Sequence, residues 1–231
     1  MKNDFWVVRM PTYGMVAFII LNLFAMFYYP GGNLNDSSQV GYFFSYNFFS
    51  DLGATISHSG ENNIISCILF NFSLCVVAFT FAMLFYSIKS FFPEAKYLSY
   101  ISTFFGLLGC ISFIGVALTP SNLYHNANGD PWLHIIFAHW IFRSLTIVSI
   151  VYSILIIKTE DFENKYAYNF IIFGIAVLSY VLYSEFFLKD PRIFPEYLIK
   201  HVISQKMVVL WIIFSIYLYS VGLGKYLINK K

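Results

Sequence analysis

Charged side chains are scarce in this sequence. Asp, Glu, Lys and Arg make up only 11% of the 231 residues, whereas 58% of the residues are hydrophobic and the mean hydropathy is +0.67. A soluble domain carries about 25% charged residues, and a core of this size cannot enclose so much apolar surface. The composition therefore predicts an all-α, polytopic integral membrane protein, with the bilayer as the solvent for most of the chain.

Cysteine is also rare, and several binding motifs are missing. Cys67, Cys75 and Cys110 all lie in apolar runs, and no CxxC spacing occurs. This pattern argues against a disulfide framework or a zinc knuckle. The chain has no glycine-rich phosphate loop and no basic stripe, so the sequence predicts neither a nucleotide site nor a nucleic-acid partner.

Six apolar stretches are long enough to cross a bilayer as helices, which takes roughly 20 residues each. Charge, proline or a polar cluster bounds each of them. They cover approximately residues 12–30, 64–88, 97–119, 133–157, 167–187 and 203–227. The alternating pattern of an outer-membrane barrel is absent. The sequence therefore predicts one domain, residues 1–231, formed by six transmembrane helices in a single bundle with a long aromatic outer loop at 31–63.

The placement of positive charge predicts the orientation of this bundle. With the N-terminus inside, the lysines and arginines on the cytoplasmic side are Lys2, Arg9, Lys89, Lys96, Lys158, Lys165, Lys225, Lys230 and Lys231. The opposite side holds only Lys189, Arg192, Lys200 and Lys206. The first two outer loops, 31–63 and 120–132, contain no Lys or Arg. The sequence therefore predicts a multi-pass protein of the cell membrane with both termini cytoplasmic.

The first outer loop contains an unusual aromatic segment, GYFFSYNFFSDLG, at residues 41–53. Read as a short interfacial helix, it places Asn47, Ser50 and Asp51 on one face, at i, i+3 and i+4. Two interpretations stay open for this polar edge. The side chains either cap a helix and bond loop amides, or they contact a ligand, metal or substrate.

All five histidines fall on the predicted outer side: His58, His125, His134, His139 and His201. His134 and His139 are five residues apart, about 140° around a helix, so they do not share a face. A metal ion would need further ligands from His125, His58 or Asp51. The alternative is that these histidines only form hydrogen bonds near the membrane interface.

Arg143 is the most unusual residue of the predicted spans, because it lies roughly 12 residues, or about 18 Å, into the fourth one. An arginine at that depth is costly, so it must either face the interior and find an acceptor or extend towards the membrane surface with help from other groups. His139 precedes it by one turn and shares its face. The candidate acceptors are Glu185, Asp51, Asn71, Gln205 and free carbonyls, although Glu185 could instead pair with Lys189.

Several motifs resemble a known family. FFSDLG (residues 48–53) precedes the second span, FN (residues 70–71) lies within it, and TPSNLYHN followed by DPWLHIIFAHWIF joins the third span to the fourth. Together with the six-span layout, they resemble the bacterial and archaeal family named domain of unknown function 998, which is distantly similar to DRAM-type autophagy-modulator membrane proteins. The resemblance implies a six-helix bundle and supplies no catalytic residues.

A second resemblance is to the membrane hydrolases that include alkaline ceramidases and progestin-receptor-like proteins. Those enzymes combine a Ser, an Asp and three histidines on zinc in a seven-span bundle. This chain offers Ser50, Asp51 and several outer histidines, but it has six predicted spans and no HxxxH spacing.

Three functions are compatible with these observations. The first is binding of a lipid or small amphiphile in an outward-facing polar cavity. Its candidate ligand-binding residues are Arg143, His139, Asp51, Ser50, Asn47 and Glu185. The second is a metal-dependent hydrolase acting on a lipid at the outer interface, in which zinc would activate water. Its candidate ligands are His125, His134, His139, His58 and Asp51. The third is a transporter or channel, although no inverted repeat is visible.

Overall fold

A computed structural model describes residues 5–125, 129, 131–160 and 162–229 of the chain. The chain is 76% helical, and six helices of the described part are long and apolar enough to cross a membrane. They are α1 (Met10–Tyr28), α2 (Ile64–Phe91), α3 (Lys96–Leu118), α4 (Trp132–Ile157), α5 (Asn164–Leu182) and α6 (Leu198–Asn229). Shorter turns extend four of them: Phe5–Arg9 and Pro93–Ala95 precede α1 and α3, Tyr183–Phe187 follows α5, and Pro195–Tyr197 precedes α6.

Each helix packs against its neighbours in sequence, and α6 also contacts α1, which closes the bundle. Short connections between long apolar helices favour this antiparallel arrangement. A column of buried aromatic rings fills the centre. The ring of Tyr152 on α4 stacks on Phe85 of α2 at 6.2 Å and on Tyr219 of α6 at 5.1 Å. The prediction of six apolar helices is thus confirmed.

The two ends of the bundle differ in structure. We call the end that carries residues 29–63, the α3–α4 connection and the α5–α6 connection the loop end; the other is the terminal end. At the loop end, an unpredicted hairpin pairs β1 (Gly31–Asn33) with β2 (Asp36–Val40) in antiparallel register. The side chain of Asn33 closes its turn by accepting from the backbone N–H groups of Asn35 and Asp36 at 2.9 and 3.0 Å.

The structure corrects the predicted helix over residues 41–53. The chain forms a turn at residues 44–46, becomes extended at Phe48 (φ −66°, ψ 159°) and then forms a 3₁₀ turn over Phe49–Gly53. The polar side chains prevent one continuous helix, because they bond to nearby backbone groups that would otherwise join helical hydrogen bonds. Asn47 and Asp51 still meet, since Asn47 Nδ2 lies 3.2 Å from Asp51 Oδ2.

The start of the last helix is a second difference. The predicted span begins at residue 203, whereas α6 begins at Leu198. Lys206 therefore lies two turns inside a helix and is only 1% exposed, instead of flanking a span. Hydropathy misplaced the start of this helix, because Lys200, His201 and Lys206 lower the mean hydropathy of the segment. The folded protein nevertheless buries Lys206.

Candidate functional site

Asn47 organises the loop end from a fully buried position. Its Oδ1 accepts hydrogen bonds from Gln39 Nε2 at 2.8 Å and from the backbone N–H of Phe43 at 3.0 Å. Its Nδ2 donates to the carbonyl of Gly32 at 2.7 Å and to Asp51. These four bonds fill the hydrogen-bonding capacity of the amide. Asn47 thus holds the hairpin against the aromatic segment and has no polar atom left for a ligand.

The Asp51 carboxylate contacts both a backbone group of its own loop and a neighbouring histidine. The carboxylate is buried, and its Oδ2 accepts from the backbone N–H of Phe48 at 2.9 Å, which fastens the 3₁₀ turn. Its Oδ1 lies 3.3 Å from Nε2 of His58. Burial of the imidazole opposes its protonation, but the hydrogen bond and the charge of Asp51 outweigh burial and raise the pKa of His58.

This raised pKa predicts how stability depends on pH. Because the folded protein binds the His58 proton more tightly than the unfolded chain, the stabilisation is complete below the ordinary histidine pKa of about 6.5 and disappears as pH rises through the folded-state pKa. His58→Gln should therefore lower the free energy of unfolding, relative to the unsubstituted protein, by more at about pH 5.5 than at about pH 9. Thermal unfolding in detergent at both pH values measures it. In an Asp51→Asn background the dependence should vanish; its persistence there would refute the assignment.

Two tyrosines, the buried Tyr29 and the half-buried Tyr42, lie close enough to Asp51 to feel its charge. Tyr42 Oη donates to the carbonyl of Asn47 at 3.1 Å, and Tyr29 Oη lies 3.3 Å from the carbonyl of Gly32. Burial, together with the charge of Asp51, raises the pKa of both phenols far above the ordinary range. Both side chains therefore remain protonated donors.

Lys206 is the residue that sequence reasoning missed. From α6, its ammonium donates to the carbonyls of Phe44 and Asn47. It also lies 5.0 Å, 4.4 Å and 5.5 Å from the ring centroids of Tyr42, Phe44 and Phe49. Carbonyl oxygens and aromatic faces both attract a cation. Lys206 thus fastens the aromatic segment to the bundle, and a lysine inside an otherwise apolar run was the available signal for it.

Arg143 and Glu185 form an ion pair between α4 and the turn that follows α5. Arg143 Nη2 lies 2.6 Å from Glu185 Oε1, with side-chain exposures of 44% and 30%. Helical side chains tilt towards the N-terminus of their helix, so Arg143 points towards the loop end and Glu185 away from it. Among the acceptors that the sequence offered for Arg143, the structure selects Glu185. The alternative pairing of Glu185 with Lys189 is absent from the ion pairs of the described residues.

The predicted metal ligands do not form a metal site. Among the described residues, no group of three His, Cys, Asp or Glu side chains is placed to hold an ion. His134 Nδ1 lies 2.7 Å from the carbonyl of Thr119, and His125 Nε2 lies 3.1 Å from the carbonyl of Ser121. Of the two alternatives that the sequence left open for the histidines, His125 and His134 thus follow the one in which they form hydrogen bonds. Asp130 directly precedes Pro131, a pattern typical of a capped helix start, but it lies outside the described residues.

A cavity of about 720 Å³ nevertheless joins most of the predicted site residues at the loop end. Its wall is formed by the segment 48–58, the α3–α4 connection, the first turns of α4, the end of α5, the α5–α6 connection and the beginning of α6. Eight of the nine predicted site residues line it, all except Asn47: Ser50, Asp51, His58, His125, His134, His139, Arg143 and Glu185.

A smaller apolar recess of about 90 Å³ lies next to this cavity. Most of its lining is aliphatic or aromatic, from α1, α2, α3, α4 and α6. Five residues line both spaces and mark their junction: Ser50, His134, Ala138, Phe142 and Gln205. The loop end therefore offers a polar space that borders an apolar space inside the bundle.

Comparison of the chain with protein-family models, with curated proteins and with solved structures gives no match. The resemblance to the family named domain of unknown function 998 stays a prediction.

Proposed function

We propose that this chain is a cell-membrane protein that binds a lipid or another small amphiphile in the loop-end cavity. The cavity would face the outer side, with both termini in the cytoplasm. Six apolar helices support the membrane assignment. The positive charge of the described residues supports the orientation, since Arg9, Lys89, Lys96, Lys158, Lys165 and Lys225 lie at the terminal end. The loop end has Lys189, Arg192 and Lys200 besides the buried Lys206.

The junction between the two spaces carries this proposal. An amphiphile has a polar head next to an apolar body, and binding sites for such ligands combine an apolar lining with a few placed polar groups. The cavity supplies the polar groups, and the recess supplies apolar walls within the bundle. The head would lie among the polar side chains of α4 and the loop, and the adjoining carbons would enter the recess beside Ala138 and Phe142.

A substitution at the junction tests the proposal. Ala138→Phe places a ring between the cavity and the recess, so it should weaken binding of an amphiphile at least about tenfold, or about 1.4 kcal/mol. Native mass spectrometry of the purified protein with a panel of bilayer lipids and single-chain lipids measures the binding. Ile136→Phe, which adds bulk on an exposed face of the same helix, is the control and should bind as the unsubstituted protein does. Equal loss in both variants, or no retained lipid at all, would refute the proposal.

The other two candidate functions have less support. A metal-dependent hydrolase needs converging ligands, and the described residues do not provide them. A transporter or channel needs a path through the bundle, whereas the tightly packed rings of Phe85, Tyr152 and Tyr219 occupy the centre below the cavity.

A further inference from the structure

The charged side chains of the cavity wall are matched to each other. Arg143 pairs with Glu185 at 2.6 Å, and Arg192 pairs with Asp190 at 2.6 Å. The imidazole of His58 meets Asp51 at 3.3 Å. Among the described residues, each carboxylate and each guanidinium that lines the cavity therefore already has a partner of opposite or complementary charge on the protein.

This pairing disfavours a charged ligand. An anionic head would have to leave water and then compete with Glu185 or Asp190 for an arginine that is already neutralised. Removal of an ion from water is costly unless a free partner compensates it. Lys206 cannot supply that partner, because its ammonium lies behind the aromatic segment and does not line the cavity.

Uncharged hydrogen-bonding groups, in contrast, remain available in the wall. The hydroxyl of Ser50 and the imidazole of His139 form no hydrogen bond within the described part of the chain. Gln205 uses only its Oε1, which accepts from the backbone N–H of Phe49 at 3.2 Å, so its two N–H donors have no partner among the described residues. All three side chains line the cavity, and Ser50 and Gln205 also border the apolar recess.

We propose that the ligand of this cavity is a lipid with an uncharged, hydroxyl-bearing head, of the acylglycerol class. This inference rests on the proposed function. A hydroxyl and an ester carbonyl together offer the donors and acceptors that match the hydroxyl of Ser50, the imidazole of His139 and the amide of Gln205. The acyl chain then continues past Ala138 towards the apolar recess.

Three lipids with the same oleoyl chain and glycerol backbone test the charge of the head. They are 1-oleoylglycerol, which is uncharged, 1-oleoylglycerol 3-phosphate, which is anionic, and 1-oleoylglycero-3-phosphocholine, which is zwitterionic. In native mass spectrometry or thermal-shift titration, the uncharged lipid should bind at least about tenfold more tightly than the anionic one. Tighter binding of the phosphate or of the phosphocholine lipid would overturn the inference. Absence of binding of all three would instead count against the proposed function.

A variant that gains binding tests whether the pairing of charges is the reason why an anionic head is disfavoured. Glu185→Gln leaves Arg143 without its carboxylate, so the variant should bind 1-oleoylglycerol 3-phosphate at least about tenfold more tightly than the unsubstituted protein does. Glu163→Gln is the matched control, because Glu163 pairs with Lys165 on the terminal end, away from the cavity. It should bind each of the three lipids as the unsubstituted protein does. Unchanged binding of 1-oleoylglycerol 3-phosphate by Glu185→Gln would contradict the role of charge matching.

Discussion

Replacement of Lys206 by methionine is expected to lower the free energy of unfolding by about 2–4 kcal/mol, because a buried charged donor disappears and the carbonyl of Phe44 loses its partner. The carbonyl of Asn47 keeps its bond from Tyr42. For a chain of this length, such a loss corresponds to a decrease of about 4–16 °C in the unfolding midpoint. Thermal unfolding of the purified protein in detergent measures it, and limited proteolysis should show faster cleavage in the aromatic segment 41–53.

Lys200→Met is the matched control for this experiment. Lys200 lies on the same helix, is exposed, and contacts only the ring of Tyr197 at 4.7 Å among the contacts described for its ammonium. The control should change the free energy of unfolding by no more than about 0.5 kcal/mol, as is usual for surface substitutions. Equal stability of Lys206→Met and the unsubstituted protein would show that the ammonium does not fasten the loop.

Gly32→Ala is expected to destabilise the protein by about 3 kcal/mol or more. Gly32 has φ +79°, where an L-residue is strained, and an added Cβ would lie 2.3 Å from Ser59 N and 2.4 Å from the carbonyl carbon of His58. These are backbone atoms, so the segment that carries His58 must move as a whole. We therefore expect the pH dependence assigned to His58 and Asp51 to disappear together with part of the stability.

Gly60→Ala separates backbone strain from steric overlap. Gly60 has φ +85°, but an added Cβ there would meet no atom within 4 Å. Strain alone should cost about 1–2 kcal/mol, with the pH dependence retained. Equal effects of the two alanines on the unfolding midpoint and its pH dependence would mean that contact between the hairpin and residues 58–59 does not position His58.

The sequence predicted the six apolar helices with small errors at most boundaries. The predicted spans 64–88, 97–119 and 133–157 correspond to α2, α3 and α4 with differences of three residues or fewer at their ends. Long apolar runs can form helices using only local hydrogen bonds, so composition and length suffice to recognise them. The hairpin at Gly31–Val40 escaped prediction, because its residues are small and polar and show no alternating apolar pattern.

The sequence singled out residues that line one cavity, but it did not predict the contacts between them. The residues were recognisable because polar groups are conspicuous in an apolar chain and gather on one side of the predicted bundle. Their pairing was not recognisable. Arg143 meets a glutamate 42 residues away, and Lys206 binds a carbonyl 162 residues away. Charge counting placed Lys206 with the flanking residues, although the folded chain buries it.

The sequence by itself determined the helical class, the number of apolar helices and the segments that hold unusual polar residues, since these follow from local composition. Only the tertiary structure decided that Asn47 is fully used by its own loop, that Asp51 faces His58, and that Ser50, His139 and Gln205 keep polar atoms without a hydrogen bond among the described residues. The physical reason is that hydrogen bonds and ion pairs depend on distances of a few ångströms, which packing of distant segments sets and which no local pattern in the chain encodes.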